Sequence, residues 1–300
     1  MIKRILFVTL FLLGNSFIYP SEIKKCDLNV LKIDLSKFTG SEGISTVKSL
    51  RDNSIVFSLN GKTYYSDFYL WNSQHADDFV FLCREYGGGF NIKDNKILFL
   101  DKDGYICSFD PYMQKIESRK KPLKMFLPYE DSNDKRKRKY QFSSSSDNFI
   151  VVNRYKKDLS FEYKHIKPKL PYSDYKILSA TNGKTENDFY MLLEKSNKLL
   201  IVNYDWKRKR VLKEISIALP IGNKHFTISS SPNSCWIMIC YKDISDQKFL
   251  LYEVDSDIIY QADLALEKYA RFQDWDFDSR YMLFSCNDEK VIYKIGLPND

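Results

Sequence analysis

Six copies of one short pattern run along the 300-residue chain, and each copy joins a polar pair to an apolar run rich in β-forming residues. The copies are DNSIVFSL (52–59), DNKILFLD (94–101), DNFIVVNR (147–154), NDFYMLLE (187–194), NSCWIMIC (233–240) and DSRYMLFS (278–285). Their first residues lie 42, 53, 40, 46 and 45 positions apart. A nearly constant period that runs through the whole chain predicts a repeat architecture.

A second β-rich run follows each copy, and turn-forming residues fill the gap between the two runs. The gaps contain Asn60-Gly61, Asp103-Gly104, Lys157-Asp158, Ser196-Asn197, Asp246-Gln247 and Asn287-Asp288. Asn-Gly and Asp-Gly pairs tolerate the positive φ angles that tight hairpins require. Each repeat is therefore predicted to be an antiparallel hairpin, with room for one strand before it and one after it.

Six repeats of four short strands match an all-β fold, a β-propeller of six blades in which each blade is a four-stranded antiparallel sheet. Seven blades is the alternative, with a degenerate blade within residues 26–50 or before Asp147. A long β-sandwich or two small barrels would not produce the constant period. We expect CDLNVLKIDL (26–35) to supply a strand that closes the ring against the last blade, because open sheet edges invite aggregation.

The repeats resemble the WD40-like β-propeller family. ISSSPNSCWIMIC (228–240), FSSSSDNFIVVN (142–153) and WDFDSRYMLFSC (275–286) are similar to its inner strand, small-polar turn and apolar strand, and LDKDGYICSFD (100–110) to its Asp-Gly hairpin. The Gly-His signature of the family is absent, and NYDW (203–206) keeps its terminal Trp-Asp only loosely. The resemblance implies a single propeller domain over residues 26–300, interrupted by a charged excursion between two blades at residues 119–140.

The N-terminus has the three parts of a secretory signal. Lys3 and Arg4 precede the apolar run ILFVTLFLLG (5–14), and the polar Asn15-Ser16 follows it. Ten residues are too few to span ~30 Å of hydrocarbon as a helix. We therefore expect a signal peptide of residues 1–16, with a cut as late as residue 21 as the alternative. No second apolar segment approaches ~18 residues, so the mature chain is expected to have no membrane span and to be periplasmic or secreted.

Charge and cysteine content restrict the classes of partner and cofactor. The formal net charge of +7 falls by two when Lys3 and Arg4 are removed, which is too small an excess for a dedicated nucleic-acid binder. The basic clusters KRKRK (135–139) and WKRKR (206–210) are interpreted as solvated loops. Export permits disulfides, and buried thiols are the alternative for the six cysteines, which form no CxxC or Cys/His zinc pattern. They are Cys26, Cys83, Cys107, Cys235, Cys240 and Cys286.

No motif predicts catalysis, a metal site or a cofactor. The three histidines, His75, His165 and His225, lie outside any nucleophile-elbow context. Gly87-Gly88-Gly89 is followed by no GK[ST], and Asp101 to Gly104 lacks the remaining oxygen ligands of a calcium loop. DWDFDSRYMLF (274–284) is interpreted as the sixth copy of a structural turn, with Trp275 and Phe277 inward and the acids at its edge.

These observations predict a non-enzymatic, monomeric propeller that binds a protein or peptide at one rim of the ring. The alternative is a propeller hydrolase that acts on glycans, which requires two carboxylates facing each other at the central channel. The hairpin turns between the two runs share one face, so we expect their residues to form the binding rim. The predicted rim residues are Asn60, Asp103, Asp158, Asn197, Asp246 and Asp288.

Overall fold

The computed structural model describes every regular element as a β-strand within the ranges that follow. They are residues 20–21, 23–38, 43–61, 64–72, 78–86, 89–120, 140–145, 148–155, 161–219, 225–242, 247–262, 266 and 270–298. Within these ranges there is no helix long and apolar enough to cross a membrane.

The strands fall into three N-terminal strands and six consecutive groups. The N-terminal strands are β1 (Pro20–Ser21), β2 (Ile23–Cys26) and β3 (Val30–Asp34). Blade 1 contains β4 (Gly43–Ser49), β5 (Ile55–Asn60), β6 (Tyr65–Trp71) and β7 (Phe79–Tyr86), and blade 2 contains β8 (Asn91–Lys93), β9 (Lys96–Leu100), β10 (Ile106–Asp110) and β11 (Lys115–Lys120). The described strands of blade 3 are β12 (Tyr140–Ser144), β13 (Ile150–Tyr155) and β14 (Phe161–Ile166).

The second half of the chain continues in the same way. Blade 4 contains β15 (Lys176–Asn182), β16 (Asp188–Lys195), β17 (Lys198–Asp205) and β18 (Arg210–Ile217). Blade 5 contains β19 (His225–Ser230), β20 (Trp236–Lys242), β21 (Gln247–Glu253) and β22 (Ile258–Ala262). Blade 6 combines β23 (Arg271–Trp275), β24 (Tyr281–Cys286) and β25 (Val291–Gly296) with β3 as its outer strand.

The predicted six-bladed β-propeller with antiparallel blades is confirmed. Each blade is a meander in which neighbours in sequence are neighbours in the sheet. The alternative of a seventh blade within residues 26–50 is wrong, because the strands described there pair with blades 5, 6 and 1. Most of the predicted excursion, residues 121–139 with the cluster KRKRK, lies outside the described residues.

The second strand of a blade is apolar on both faces because a neighbouring blade packs against each face. Every side chain from Trp236 to Tyr241 in β20 is buried, and so is every side chain of β24. The core is accordingly a series of clusters between adjacent blades. Leu192 and Ile201 of blade 4 pack with Ile237 and Leu250 of blade 5 in one cluster, and further clusters join blades 5 and 6, 6 and 1, 1 and 2, and 3 and 4.

The N-terminal strands cover the outer edges of three blades. The predicted closing strand is confirmed, because β3 pairs antiparallel with β25 from Val30↔Ile295 to Asp34↔Val291. Ahead of it, β1 pairs parallel with β18 and β2 pairs parallel with β22. These pairings occupy edges that would otherwise present a free row of backbone donors and acceptors.

The polar pairs that begin the repeats lie in the turns between the first and second strands. Five of these turns contain a residue at positive φ, a conformation that Asn tolerates better than most residues. These residues are Asn53 (φ 67°), Asn95 (64°), Asn148 (57°), Ser234 (56°) and Ser279 (60°). Blade 4 differs, since no residue from 183 to 187 has a positive φ.

The stretch DWDFDSRYMLF is a turn of this kind, and Trp275 is buried as predicted. The expectation that its acids lie at the edge is wrong for two of them. Asp274 is buried and its carboxylate lies 2.7 Å from Lys48 Nζ, which supplies the compensating charge. Asp276 is 1% exposed and accepts a 2.8 Å hydrogen bond from the Arg280 amide, while burial raises its pKa above the usual range for a carboxyl group.

All six cysteines are thiols rather than disulfide partners. Burial raises the pKa of Cys83 to about 12 and that of Cys107 to about 11. Both thiols are therefore protonated at neutral pH, and a thiol in this form is a weak nucleophile.

We expect the closing strand to depend on Ile33, which is 4% exposed in the cluster between blades 6 and 1. Ile33→Ala should lower the free energy of unfolding by about 2 to 4 kcal/mol, the usual cost of such a truncation in a core. Leu31→Ala is the matched control, because it shortens a side chain that is 43% exposed on the same strand and should cost about 1 kcal/mol or less. Urea titration measures both, and equal losses would contradict the role given to β3.

Candidate functional site

The predicted rim residues occupy hairpin turns between the second and third strands of their blades. Asn60, Asp103, Asn197 and Asp288 are described, and because every blade alternates in the same sense these turns lie on one face of the ring. Asp158 and Asp246 lie outside the described residues. Asn60 accepts a hydrogen bond from Ser66 Oγ at 2.8 Å, and the Asp103 carboxylate accepts one from Arg119 Nη2 at 2.5 Å. These local contacts account for Asn60 and Asp103, and a binding role for this rim stays a prediction.

The other motifs considered in the sequence are the segment from Asp101 to Gly104, the three histidines and the glycine run. Asp101 accepts the amides of Asp103 and Tyr105 at 3.0 and 2.9 Å, so the segment is a hairpin turn, as predicted. His165 lies on β14 with its ring 6.3 Å from that of Phe149, and His225 begins β19. His75 and the first two glycines of the Gly87-Gly88-Gly89 run lie outside the described residues.

The inner strands bring hydroxyl and amide groups together around the axis. Thr181 and Ser230 lie 3.0 Å apart across blades 4 and 5, and the indole of Trp275 donates to Ser229 Oγ at 3.1 Å. Among the described residues of the six inner strands, Asp274 is the one acid, and Lys48 neutralises it. The described part of the channel therefore has no pair of facing carboxylates.

A polar pocket of about 560 Å³ opens at the end of blade 4, on the face opposite to the predicted rim. Its walls are the turn between β15 and β16 and the turn between β17 and β18. The lining residues are Lys184, Thr185, Asn187, Asp188, Asn203, Asp205, Lys207, Arg208 and Leu212. We call this cavity the blade-4 pocket.

The first wall is shaped by a close approach between Gly183 and Asp188. Backbone and side-chain donors surround the carboxylate of Asp188: the Lys184 amide at 3.0 Å, the Thr185 amide at 2.7 Å and the Thr185 hydroxyl. A Cβ atom on residue 183 would lie 2.0 Å from Asp188 Oδ2 and 2.8 Å from its backbone carbonyl carbon. Only glycine fits at this position without displacing the turn.

The second wall is organised by Asp205, which lies directly opposite Asp188 in the β16–β17 ladder. Its Oδ1 accepts the amides of Lys207 and Arg208 at 3.0 and 2.8 Å, and its Oδ2 lies 3.8 Å from Arg208 Nε. Both carboxylates are more than nine-tenths buried, and like charges directly opposite in a sheet are destabilising. The hairpin ends offset this repulsion by aiming backbone N–H groups at each carboxylate.

Asn187 and Asn203 each leave a buried polar atom unsatisfied. The Oδ1 atoms of both residues are buried, and neither has a hydrogen-bond partner among the residues that the structure describes. Asn203 lies opposite Tyr190 in the ladder, and burial raises the pKa of that phenol above its usual range. An unsatisfied buried acceptor costs about 1 to 3 kcal/mol, so two in one pocket call for a functional explanation.

Ion pairs join blade 4 to blade 5 beside the pocket. Lys184 pairs with Asp255, and Lys213 pairs with Asp257, which also accepts the hydroxyl of Tyr252 at 2.8 Å. The ammonium groups of Lys184 and Lys213 are therefore paired with carboxylates of blade 5.

The sequence analysis missed the residues of this pocket, although one signal was present. Among the six repeats, the fourth is the one that begins Asn-Asp, at Asn187 and Asp188, instead of Asp-Asn, Asn-Ser or Asp-Ser. That departure coincides with the turn that lacks a positive φ residue. The basic side chains of the cluster WKRKR (206–210) are exposed, as expected for a solvated loop, and the backbone amides of Lys207 and Arg208 cap Asp205.

The fold defines the class of the protein as a six-bladed β-propeller. No protein-family model and no curated protein matches the chain. Among solved structures, the chain is similar to an oligogalacturonate lyase from Vibrio parahaemolyticus, with 10% identity over 94% of this chain and 99% of that one and a TM-score of 0.53. It is also similar to an oligogalacturonate lyase in complex with manganese (10% identity, 93% and 99% covered, TM-score 0.51) and to the C-terminal WD40 domain of Sif2 (11%, 85% and 82%, 0.45).

Likeness at this level of identity shows the fold alone and transfers no activity. For the manganese complex, the chain offers no matching centre in the residues described, where no group of three or more His, Cys, Asp or Glu side chains is placed to hold a metal ion.

Gly183→Ala tests the first wall of the pocket. The added methyl group must displace Asp188, so we expect the free energy of unfolding to fall by about 2 kcal/mol or more, in the range of other overpacked sites. Gly296→Ala is the matched control, because a Cβ there meets no atom closer than 3.6 Å and should change stability by about 0.5 kcal/mol or less. Chemical denaturation measures both, and a neutral Gly183→Ala would contradict the packing described.

Proposed function

We propose that this chain is an exported propeller that binds a protein or peptide, and that the blade-4 pocket is a principal contact. The observation that carries the proposal is the pair of buried amide oxygens, Asn187 Oδ1 and Asn203 Oδ1, which have no donor in the described structure. Such atoms are costly in an empty pocket and become favourable when a ligand supplies the missing N–H groups. Peptides carry these donors on their backbones, their side chains and their N-termini.

The chemistry of the pocket favours recognition over catalysis. A general acid needs a carboxyl group that exchanges its proton near the working pH, and a nucleophilic carboxylate needs access to the reacting atom. Asp188 and Asp205 are instead directed at backbone N–H groups that hold the two hairpin ends. On the described inner strands, Asp274 and its partner Lys48 likewise give no support to glycan hydrolysis at the central channel.

The absence of a nucleic-acid partner and the monomeric state remain predictions. The modest net charge supports the first of them. In the described part of WKRKR, Arg208 lies beside Asp205, so this positive charge is partly compensated within the chain.

Export to the periplasm or the medium rests on the leader pattern of residues 1–16. A cut after Ser16 would leave β1 intact, whereas the later alternative after Ser21 would remove the strand that pairs with β18. We therefore expect the mature chain to begin at Phe17. Mass spectrometry of the native protein measures this directly, and an intact N-terminus at Met1 would show that the export proposal is wrong.

Peptide binding is tested by selecting a random dodecapeptide library, displayed on phage, on the immobilised full chain. Enriched peptides should bind the wild type and lose at least tenfold in affinity on Asn203→Leu, because the variant removes one of the two open acceptors. Asn153→Leu is the control, since it makes the same change on β13 of the neighbouring blade.

The two variants Asn197→Gly and Asn203→Leu distinguish which face of the ring binds the selected peptides. If Asn197→Gly weakens the selected peptides and Asn203→Leu does not, the sequence-predicted rim is the binding surface and the pocket is not. If repeated selections enrich no peptide that binds the folded chain, the proposed function is wrong.

A further inference from the structure

The floor of the blade-4 pocket contains unsatisfied acceptors. Asn187 Oδ1 and Asn203 Oδ1 have no donor in the described residues. Within the described part of the chain, the contact given for Asp205 Oδ2 is the ion pair with Arg208 Nε at 3.8 Å, which is beyond hydrogen-bond distance. A ligand that fits this floor must therefore bring several N–H or O–H donors on one small group.

The charge balance at the floor favours a cation. Two buried carboxylates, Asp188 and Asp205, lie opposite each other in the sheet, and both are capped mainly by neutral backbone amides. Lys184, which lines the pocket, pairs with Asp255 on blade 5. The amide oxygens and carboxylates of the floor would repel an anionic ligand, whereas a cation would be attracted to Asp205, whose partner Arg208 is 70% exposed.

We infer that the blade-4 pocket binds a primary ammonium group, either a lysine side chain or the N-terminus of a peptide. This inference rests on the proposed function and specifies the chemistry of its ligand. An ammonium group carries three donors and one positive charge, which match the two unsatisfied amide oxygens and Asp205 Oδ2, whose ion-pair partner Arg208 is 70% exposed. Its hydrogen bonds to Asp205 would be charge-assisted and stronger than those between neutral groups.

The basic side chains at the mouth of the pocket restrict which peptides can bind. Lys207 and Arg208 are exposed there, so a run of basic residues would be repelled, and an isolated ammonium next to an acidic residue fits best. The cavity of about 560 Å³ is large enough for a lysine side chain together with part of its backbone.

The inference is tested by isothermal titration of the full chain with three synthetic peptides. The first, Ac-Ala-Glu-Lys-Ala-Ala-amide, presents only a lysine ammonium. The second carries N-acetyl-lysine in its place and presents none. The third has a free N-terminus and Gln instead of Lys. We expect the first or the third peptide to bind at least tenfold more tightly than the second, and the stronger of the two identifies the source of the ammonium.

Two pocket variants and one control localise the effect. Asn203→Leu removes an acceptor, and Asp205→Asn removes the charge while keeping an oxygen that can cap the Lys207 and Arg208 amides. Each should weaken the ammonium peptide at least tenfold, while Asn153→Leu should leave its affinity unchanged. Thermal unfolding of each variant shows whether it is folded, and Asp205→Asn serves as the test if Asn203→Leu does not fold.

The inference would be overturned if neither the lysine peptide nor the free-N-terminus peptide binds more tightly than the acetyl-lysine peptide, or if both pocket variants leave the affinity unchanged. Library peptides that bind the wild type and ignore Asn203→Leu and Asp205→Asn would leave peptide binding standing and refute the pocket.

Discussion

The antiparallel pairing of β3 with β25 is the contact on which the rest of the ring depends. It joins residues 30–34 to residues 291–295, so the two ends of the domain meet in one sheet. Without β3, the third strand of blade 6 would expose its edge, and the cluster between blades 6 and 1 would lose Ile33 and Leu35. The entropy of closing so long a loop grows only logarithmically with its length, so the burial and ladder hydrogen bonds of one short strand can offset it.

Ring closure explains why so much of the architecture can be predicted from the sequence. A second strand between two blades is buried on both faces, which forces an apolar run such as that of β20, and the turn before it needs a residue that accepts positive φ, such as Asn53 or Ser234. Both requirements recur in every blade, so they generate a period. The parallel pairing of β1 and β2 with the edges of blades 4 and 5 imposes no such requirement, since edge strands are held by backbone hydrogen bonds and Lys24 and Lys25 stay exposed. For that reason, the sequence predicted the closing strand and gave no indication of the other two.

The blade-4 pocket could not be predicted from the sequence, for a different reason. Turn residues such as Asn60 and Asp103 attract notice because they are polar and regularly spaced, yet the regular spacing marks a shared structural role, and their side chains are satisfied by Ser66 and Arg119. Asn187 and Asn203 lie in different turns and strands, and the property that distinguishes them is a missing partner in three dimensions. Only the reversed order of Asn187 and Asp188 in the fourth repeat indicated locally that this blade departs from the others.

Blade 4 is also where the fold can best sustain a polar floor. Its two middle strands are buried on both faces: Leu192, Leu199 and Ile201 face blade 5, and Met191, Leu193 and Leu200 face blade 3. These apolar contacts stabilise the body of the hairpin, so its end can hold two opposed carboxylates and two unsatisfied amide oxygens at a cost of several kcal/mol without unfolding. Unsatisfied polar groups are expected where a protein binds its ligand, because groups that are fully hydrogen-bonded within the chain cannot form further bonds to a ligand. The unsatisfied oxygens of the blade-4 pocket are therefore what supports the proposal of recognition there, while a binding role for the rim stays a prediction.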